Sequence, residues 1–232
     1  MGIKKLTDRI YYLPHQQEVD RPMLSYIKGD KFSLAIDAGY SSSHVDDFYQ
    51  SLKDTGLKNP DFTVITHWHY DHTFGMHHIK GLSIAHEKTN SFLKELQEMA
   101  KDALYINILK ENDIYFKREY QGINEIKIVL SDIQFKNEIY IDLGGIGAQI
   151  FHTEAPHSED SVCIYVPSEK ILFLGDSVCG DYFNHGYMDR KKLYSLIKMI
   201  ENTDCITCVL SHEEPLKKEE LLNDLYGELN GI

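Results

Sequence analysis

The sequence predicts an α+β fold in which two mixed β-sheets pack face to face and helices cover their outer sides. Three observations support this prediction. Short apolar or alternating runs, typical of strands, are separated by polar and glycine-containing turns. Segments with apolar residues at helical spacing lie between these runs. The order strands, helix, strands, helix occurs twice, and two sheets with outer helices would bury the apolar side of every element.

The first third of the chain consists mainly of predicted strands. Their sequences are RIYYLP, MLSYIKGD, KFSLAIDAG and DFTVIT. One helix interrupts them before Gly56, with Val45, Phe48 and Leu52 at helical spacing and Ser43 as the expected cap of its first turn. This part therefore predicts one sheet with a helix against it.

The rest of the chain alternates in the same way. After the strand LSIAHE, apolar spacing predicts one helix over about 89–109, followed by an irregular aromatic segment over 110–140. The next predicted strands are GAQIFHTEA, SVCIYVPSE and KILFLGDS, with VPSEKI typical of a hairpin turn. Helices over about 189–202 and 217–229 flank a last strand, CITCVLSH.

Length and composition indicate a single domain over residues 1–232, with a helical and aromatic insertion at about 88–140. The chain has 232 residues, of which 42% are hydrophobic and 26% charged, as in ordinary globular proteins. Its formal net charge is −12, from 36 acidic and 24 basic residues. Such a charge disfavours a nucleic-acid partner, so we expect a small-molecule substrate.

Membrane attachment and secretion are not expected. No apolar run approaches the ~20 residues that cross a bilayer. The first residues, MGIKKLTDRIYYLP, lack the apolar core and cleavage site of a signal peptide, so the cytoplasm is the expected location. Cys205 and Cys208 have CxxC spacing, but no second CxxC pair completes a four-sulfur zinc site. We expect both to be buried thiols of a strand.

The stretch THWHYDHTFGM places three histidines and an aspartate within six positions directly after a predicted strand. In an extended segment His67 and His69 point the same way, and a following turn would bring Asp71 and His72 to an adjacent point. Each of three other predicted strands is followed by one histidine or aspartate. These residues are His157, Asp176 and His212. Imidazole and carboxylate ligands suit zinc, iron, manganese or nickel better than calcium or magnesium.

These side chains suffice for two divalent metal ions. The expected first site is formed by His67, His69 and His157. The expected second site is formed by Asp71, His72 and His212. Asp176 would bridge the two ions, and each ion would keep an open position, as catalytic zinc does. Zinc is the first expectation, with iron or manganese as alternatives.

In type and order these residues resemble the metallo-β-lactamase superfamily. The resemblance runs from IDAG through HWHYDH, APHSEDSV and FLGDS to LSHEEP. It implies an αββα four-layer sandwich with a dinuclear site at the sheet edge and the same seven ligands. It also implies that Asp37 hydrogen-bonds a ligand histidine on the side away from the metal. The alternative is that Asp37 is an ordinary turn residue. Asp176 stands where the best-known zinc β-lactamases carry cysteine, so antibiotic hydrolysis is not the expected native role.

The expected activity is that of a dinuclear metal-dependent hydrolase of a small-molecule ester, lactone, thioester or phosphodiester. A metal-bridging hydroxide would be the nucleophile, and Asp71 or Asp176 would transfer the proton. The alternatives are a diiron redox or oxygen-handling protein and a non-catalytic metal-binding module.

Further predictions concern the surroundings of the site. Tyr182, His185 and Tyr187 are candidate substrate contacts, with loop packing as the alternative. The insertion would form an aromatic lid, the surface of a homodimer or ordinary packing.

Overall fold

The computed structural model describes residues 2–231, which form two β-sheets and seven α-helices within that range. The first sheet has seven strands that lie side by side in the order of the sequence. They are β1 (Lys4–Lys5), β2 (Ile10–Leu13), β3 (Leu24–Lys28), β4 (Ser33–Ile36), β5 (Phe62–Val64), β6 (Leu82–His86) and β7 (Ile133–Phe135). The first four pair antiparallel and the last four parallel, so the sheet is mixed.

The second sheet follows directly after the first along the chain. Its strands are β8 (Glu138–Asp142), β9 (Gly147–His152), β10 (Val162–Val166), β11 (Ile171–Gly175), β12 (Thr207–Leu210) and β13 (Leu216–Lys217). They lie in the order β13-β12-β11-β10-β9-β8. Only β11 and β12 pair in parallel, because a helix connects them, so this sheet is also mixed.

The helices lie outside these sheets. They are α1 (Ser42–Asp54), α2 (Tyr70–Thr73), α3 (Glu87–Met99), α4 (Tyr105–Asn112), α5 (Ile114–Glu119), α6 (Arg190–Asn202) and α7 (Lys218–Gly231). Two short 3-10 helices span Met76–His78 and Tyr182–Asn184. No helix among residues 2–231 combines the length and apolar character needed to cross a membrane.

Side-chain alternation divides each strand between two cores. On β10, Val162, Ile164 and Val166 face the space between the sheets, where they pack with residues of both sheets. Cys163, on the opposite face, packs with α6 and α7. Period-two alternation of this kind buries both faces of a strand when a sheet lies on one side and helices on the other. Each fully buried aliphatic side chain contributes roughly 1.5–3 kcal/mol.

Helices cover the outer face of each sheet and complete four layers. On the first sheet, Phe48 and Leu52 of α1 pack with Tyr26 of β3. On the second, Leu196 of α6 and Leu225 of α7 pack in one buried cluster. The predicted αββα sandwich of two mixed sheets is therefore confirmed.

Several details differ from the sequence prediction. The cap of α1 is Ser41, whose hydroxyl accepts a hydrogen bond from the amide of His44 at 3.2 Å, and not Ser43. The predicted helix over 89–109 is divided into α3 and α4, because Asp102 accepts a hydrogen bond from the amide of Leu104 at 2.9 Å and forms a local turn.

Within the predicted insertion, helices end at Glu119. Strand β7 and the first residues of β8 also fall within 88–140, and these strands belong to the first and second sheets respectively. Cys205 and Cys208 are buried free thiols, as expected, but only Cys208 lies on a strand, β12.

Candidate metal centre

All seven predicted ligand residues follow the carboxyl end of a strand. His67 and His69 lie in the extended segment after β5, and Asp71 and His72 lie on α2. The other three residues come from the second sheet. His157 follows β9, Asp176 follows β11 and His212 follows β12. The site is therefore assembled from both sheets at one edge of the sandwich.

The first group contains three imidazoles. Nε2 of His157 lies 3.2 Å from Nε2 of His67 and 3.1 Å from Nδ1 of His69. The outer nitrogen of His157, Nδ1, donates to the main-chain oxygen of Gly180 at 2.9 Å. The proton of His157 is thus held on the outer side, and the lone pair of Nε2 is directed at the other two rings.

The second group combines two imidazoles and two carboxylates. Nε2 of His72 lies 3.1 Å from Oδ2 of Asp71 and 3.2 Å from Oδ2 of Asp176. Nε2 of His212 lies 3.3 Å from each of the same two oxygens. Oδ2 of Asp176 is also 3.7 Å from Nε2 of His157, a member of the first group. Asp176 therefore lies between the groups, where a bridging carboxylate would lie.

Asp37 supports this arrangement from behind. Its Oδ2 lies 2.8 Å from Nδ1 of His72, and its Oδ1 accepts a hydrogen bond from the amide of Thr66 at 2.8 Å. The Thr66 hydroxyl also bonds this carboxylate and lies 3.1 Å from Nδ1 of His67. A carboxylate behind a histidine fixes the orientation of the ring and directs its other nitrogen to a metal.

Sequence reasoning missed two other supporting carboxylates. Asp20, in the turn between β2 and β3, has Oδ1 3.1 Å from Nδ1 of His212 and 2.9 Å from Nε2 of His15. Asp160 is fully buried and accepts hydrogen bonds from Thr89 at 2.7 Å and Ser158 at 2.5 Å. Asp160 could have been selected from the sequence, because it belongs to the polar HSED segment that begins with His157. No comparable pattern surrounds Asp20.

The electrostatics of the first group favour neutral imidazoles. Burial, and then the proximity of His72, hold the pKa of His67 well below its ordinary value. Burial and the neighbouring His157 lower the pKa of His69 to about 3. These rings therefore present unprotonated nitrogens at neutral pH, the form in which histidine binds a metal.

The second group behaves differently. Burial alone would lower the pKa of His72 and His212, but the surrounding carboxylates outweigh it and raise both pKa values well above the ordinary one. Burial likewise opposes ionisation of Asp71 and Asp176, but the two imidazoles hold the pKa of both carboxyls well below its ordinary range. The ionised carboxylates attract positive charge to this point, which a divalent cation would supply in place of protons.

The spacing of the donor atoms fits metal ions. A tetrahedral ion with bonds of about 2.0–2.1 Å to nitrogen holds its ligand atoms about 3.3–3.4 Å apart. The nitrogen–nitrogen distances of 3.1 and 3.2 Å in the first group are close to this spacing. In both groups all donor atoms lie within 4.8 Å of one another. The residues therefore fit one ion per group.

Both groups open into a cavity of about 180 Å³. It is lined by Asp20, Tyr40, His69, Tyr70, Asp71, Asp113, Tyr115, His157, Asp176, Tyr182, Phe183 and His212. Of the three predicted substrate contacts, Tyr182 lines the cavity, whereas His185 and Tyr187 do not and are exposed. The chain turns away after Asn184, where His185 has a left-handed φ of 54°.

Part of the insertion also contributes to this cavity. Asp113 and Tyr115 lie at the start of α5, inside the range 88–140. The carboxylate of Asp113 accepts a hydrogen bond from the Tyr70 hydroxyl, which connects α5 to the ligand-bearing helix α2. No local pattern in the sequence distinguishes these residues from the other aromatic and acidic residues around them.

The two-sheet αββα sandwich with histidine and aspartate groups at one edge is the architecture of a metal-binding protein of this fold class. The chain belongs to the metallo-β-lactamase superfamily, because the sequence model described as "Metallo-beta-lactamase superfamily" matches residues 24–183. The superfamily expected from the ligand pattern is thus confirmed.

The chain is also similar in sequence to individual proteins of known name. The human protein named "Acyl-coenzyme A thioesterase MBLAC2" is 22% identical over 191 residues, and so is its bovine counterpart. These matches cover 75% of this chain but only 65% of the length of either relative.

Among solved structures, a metallo-β-lactamase from Pontibacter korlensis superposes with a TM-score of 0.69 at 16% identity, covering 100% of this chain and 99% of that one. The sec-alkylsulfatase Pisa1 from Pseudomonas sp. gives a TM-score of 0.71 at 14% identity, covering 98% of this chain and 41% of that one. At these identities the structural likeness establishes the fold.

Proposed function

We propose that the protein is a dinuclear metal-dependent hydrolase of a small, uncharged acyl substrate: an ester, a lactone or a thioester. The observation that carries this proposal is the position of Asp176, whose Oδ2 lies within 4.0 Å of ligand-type nitrogens from both groups. Two sites that share one carboxylate beside a cavity are suited to hydrolysis. Two divalent cations bound there would supply a water-derived nucleophile at neutral pH and polarise the bond to be cleaved.

The protein side chains have defined tasks in this reaction. His157 and His212 are held from behind by Gly180 and Asp20, so their inner nitrogens keep fixed directions. Asp71 and Asp176 both line the cavity. We assign to one of these two carboxylates the proton released when water attacks, which it then returns to the leaving oxygen or sulfur.

The charge of the cavity selects among the substrate classes. Its lining includes the carboxylates of Asp20, Asp71, Asp113 and Asp176, and among the described residues no lysine or arginine lines it. Phosphodiester recognition commonly uses Arg or Lys, whose charge this lining lacks. An uncharged carbonyl compound fits better, so esters, lactones and thioesters are favoured over phosphodiesters. The human and bovine relatives are named as thioesterases, which supports a thioester as the bond that is cleaved. Coenzyme A carries phosphates, so for this cavity we propose a thioester with an uncharged leaving group.

Zinc is the proposed metal, since the groups contain five imidazoles and two carboxylates, which suit a borderline cation. The cytoplasm is the proposed compartment. All four cysteines are free in the structure, as expected in a reducing environment.

The first prediction tests the reaction class. Purified protein loaded with zinc should contain about two ions per chain by elemental analysis. It should hydrolyse p-nitrophenyl acetate or the neutral thioester S-phenyl thioacetate faster than bis(p-nitrophenyl) phosphate. Removal of the metal with dipicolinate should abolish this turnover, and zinc should restore it. Full metal occupancy without turnover of any ester, lactone or thioester would overturn the proposal.

A matched pair of variants tests whether His157 is required for metal binding and turnover. His157→Ala should lower kcat/KM by at least 100-fold and reduce the metal content, because it removes one of three nitrogens from the first group. His152→Ala is the control. His152 lies on the strand that leads to the same loop, stacks on His86 and contributes to neither group. Equal losses in the two variants would contradict the assignment of His157.

A further inference from the structure

Tyr40 is a buried tyrosine on the wall of the cavity. It follows β4 and precedes the cap of α1, and only 1% of its surface is exposed. Its ring stacks on Tyr70 with centroids 5.5 Å apart and meets the edges of Phe116 at 6.0 Å and Tyr120 at 6.4 Å. Aromatic contacts on several sides hold the ring in one position.

The hydroxyl of Tyr40 has no protein partner within residues 2–231. The hydrogen bonds of this residue are made by its main chain: the amide donates to Nδ1 of His44 at 3.3 Å, and the carbonyl accepts from the Tyr120 hydroxyl at 2.8 Å. A buried tyrosine normally finds a partner for its hydroxyl, because leaving it unbonded is costly. Since Tyr40 lines the cavity, its hydroxyl is free to bond a molecule bound there.

The other tyrosines of the cavity differ in this respect. The hydroxyls of Tyr70 and Tyr182 both bond to the carboxylate of Asp113. Tyr115 is only partly buried, so water can reach it. Among these tyrosines, Tyr40 therefore combines near-complete burial with an unpartnered hydroxyl.

The surroundings of Tyr40 determine the protonation state of its hydroxyl. Burial raises the pKa of Tyr40 far above its ordinary value, and the carboxylates of Asp71, Asp113 and Asp20 raise it further. After burial, Asp71 has the largest effect. The hydroxyl therefore remains a protonated donor at neutral pH, and Tyr40 lines the same cavity as Asp71 and Asp176.

We propose that Tyr40 is a catalytic residue whose hydroxyl donates a hydrogen bond to the acyl oxygen of the substrate. This inference rests on the proposed acyl hydrolysis. The bond strengthens as that oxygen gains negative charge during attack by water, and the proton stays on the phenol throughout. A rigid donor in a cavity that no lysine or arginine lines among the described residues supports the developing oxyanion at no cost in reorganisation.

Tyr40→Phe tests this role in the zinc-loaded enzyme, because phenylalanine keeps the ring and its stacking. We expect kcat for p-nitrophenyl acetate to fall about 10- to 100-fold, with KM and metal content unchanged. Tyr26→Phe is the matched control. Tyr26 is equally buried, at 1% exposure, but packs in a different core cluster and does not line the cavity. A kcat within two-fold of wild type, or a loss that follows lost zinc, would overturn the proposal.

A binding measurement separates this inference from the proposed function. The probe is 4-nitrobenzyl methylphosphonate, a tetrahedral mimic of ester hydrolysis, titrated calorimetrically into zinc-loaded wild type and both variants. Tyr40→Phe should bind it at least about 10-fold more weakly, and Tyr26→Phe should bind it normally. If wild type hydrolysed no ester or thioester, the proposed function would fail. The phosphonate affinities would still test whether the Tyr40 hydroxyl donates a hydrogen bond to a ligand in the cavity. Equal affinities in wild type and Tyr40→Phe would reject its donor role.

Discussion

Asp37 has a strained backbone conformation that the hydrogen bonds of its side chain stabilise. Its φ is 64°, in the left-handed region that costs most residues roughly 1–2 kcal/mol. In this conformation its carboxylate reaches both the amide of Thr66 and Nδ1 of His72, each at 2.8 Å. Aspartate tolerates the left-handed region better than most residues, and the hydrogen bonds offset the remaining strain. Strain of this kind is typical of functional sites.

Asp37→Asn should weaken binding of the second metal ion about 10- to 100-fold. An asparagine that still accepts the Thr66 hydrogen bonds would turn its amide group toward His72. Nδ1 would then have to accept a hydrogen bond, and the proton would move to Nε2, where a metal would bind. Competition with a chromophoric zinc chelator measures the change.

Asp61→Asn is the control for this measurement, because Asp61 accepts hydrogen bonds from the amide of Ser33 at 2.7 Å and its hydroxyl at 3.0 Å. It therefore has partners of the same kind and lies outside the cavity. Unchanged zinc affinity in Asp37→Asn would show that this carboxylate does not orient His72.

The residues that could be predicted from the sequence are those with a local pattern. His67, His69, Asp71 and His72 are close in the chain, and their spacing alone suggests convergence on metal ions. Tyr40 has no such signal. Its burial depends on Tyr70, Phe116 and Tyr120, which lie 30 to 80 positions further along and reach it only in the folded chain.

At the scale of elements, the end of β11 shows how closely the two sheets approach beside the site. Gly175 has a φ of 57°, and a Cβ added there would lie 2.9 Å from Cβ of Thr66. Thr66 follows β5 in the first sheet, and Asp176 immediately follows Gly175. Only glycine both adopts this conformation readily and leaves room for the Thr66 side chain.

Gly175→Ala should lower the free energy of unfolding by roughly 2–5 kcal/mol, from left-handed strain and overpacking against Thr66. It should also weaken metal binding, because Thr66 contacts Asp37 and His67. Urea denaturation and zinc titration measure the two effects.

Gly56→Ala provides the comparison for this experiment. Gly56 has a similar φ of 76°, but nothing lies within 4 Å of an added Cβ. This variant should lose only the roughly 1–2 kcal/mol of conformational strain and keep its metal affinity. Equal behaviour of the two variants would mean that Thr66 moves aside freely.

The strands were easier to predict than the helices, for a physical reason. Alternation in segments such as SVCIYV follows from a strand with one core on each face, and the structure contains both cores. The segment 89–109 has continuous helical spacing, but the hydrogen bond between Asp102 and the amide of Leu104 interrupts it. A local side-chain bond of this kind competes with the helix without changing the apolar pattern.

At the scale of the whole molecule, the candidate metal centre connects the two sheets, because each sheet contributes residues to it. The first sheet and its loops provide four of the seven ligand-type residues, and the second provides three. Zinc bound to the folded chain should therefore oppose separation of the sheets. A free concentration 100 times the dissociation constant corresponds to about 2.7 kcal/mol of added stability per site.

Thermal unfolding in increasing zinc should show a matching rise in Tm. Magnesium at equal ionic strength should have little effect, because it prefers all-oxygen coordination. If zinc and magnesium changed the Tm equally, a general salt effect would replace specific binding as the explanation.

The connection between β7 and β8 has a consequence for protein engineering. Every strand of the first sheet lies before residue 136 and every described strand of the second lies after 137, so the backbone passes between the sheets once. The halves are thus consecutive pieces of sequence joined by one short link. They are held together by side-chain packing and by a few main-chain hydrogen bonds, such as that from the amide of Val162 to the carbonyl of Thr66 at 2.8 Å. This makes the chain suited to a split-protein reporter, cut between Lys136 and Asn137, in which metal ions would favour reassembly of the fragments.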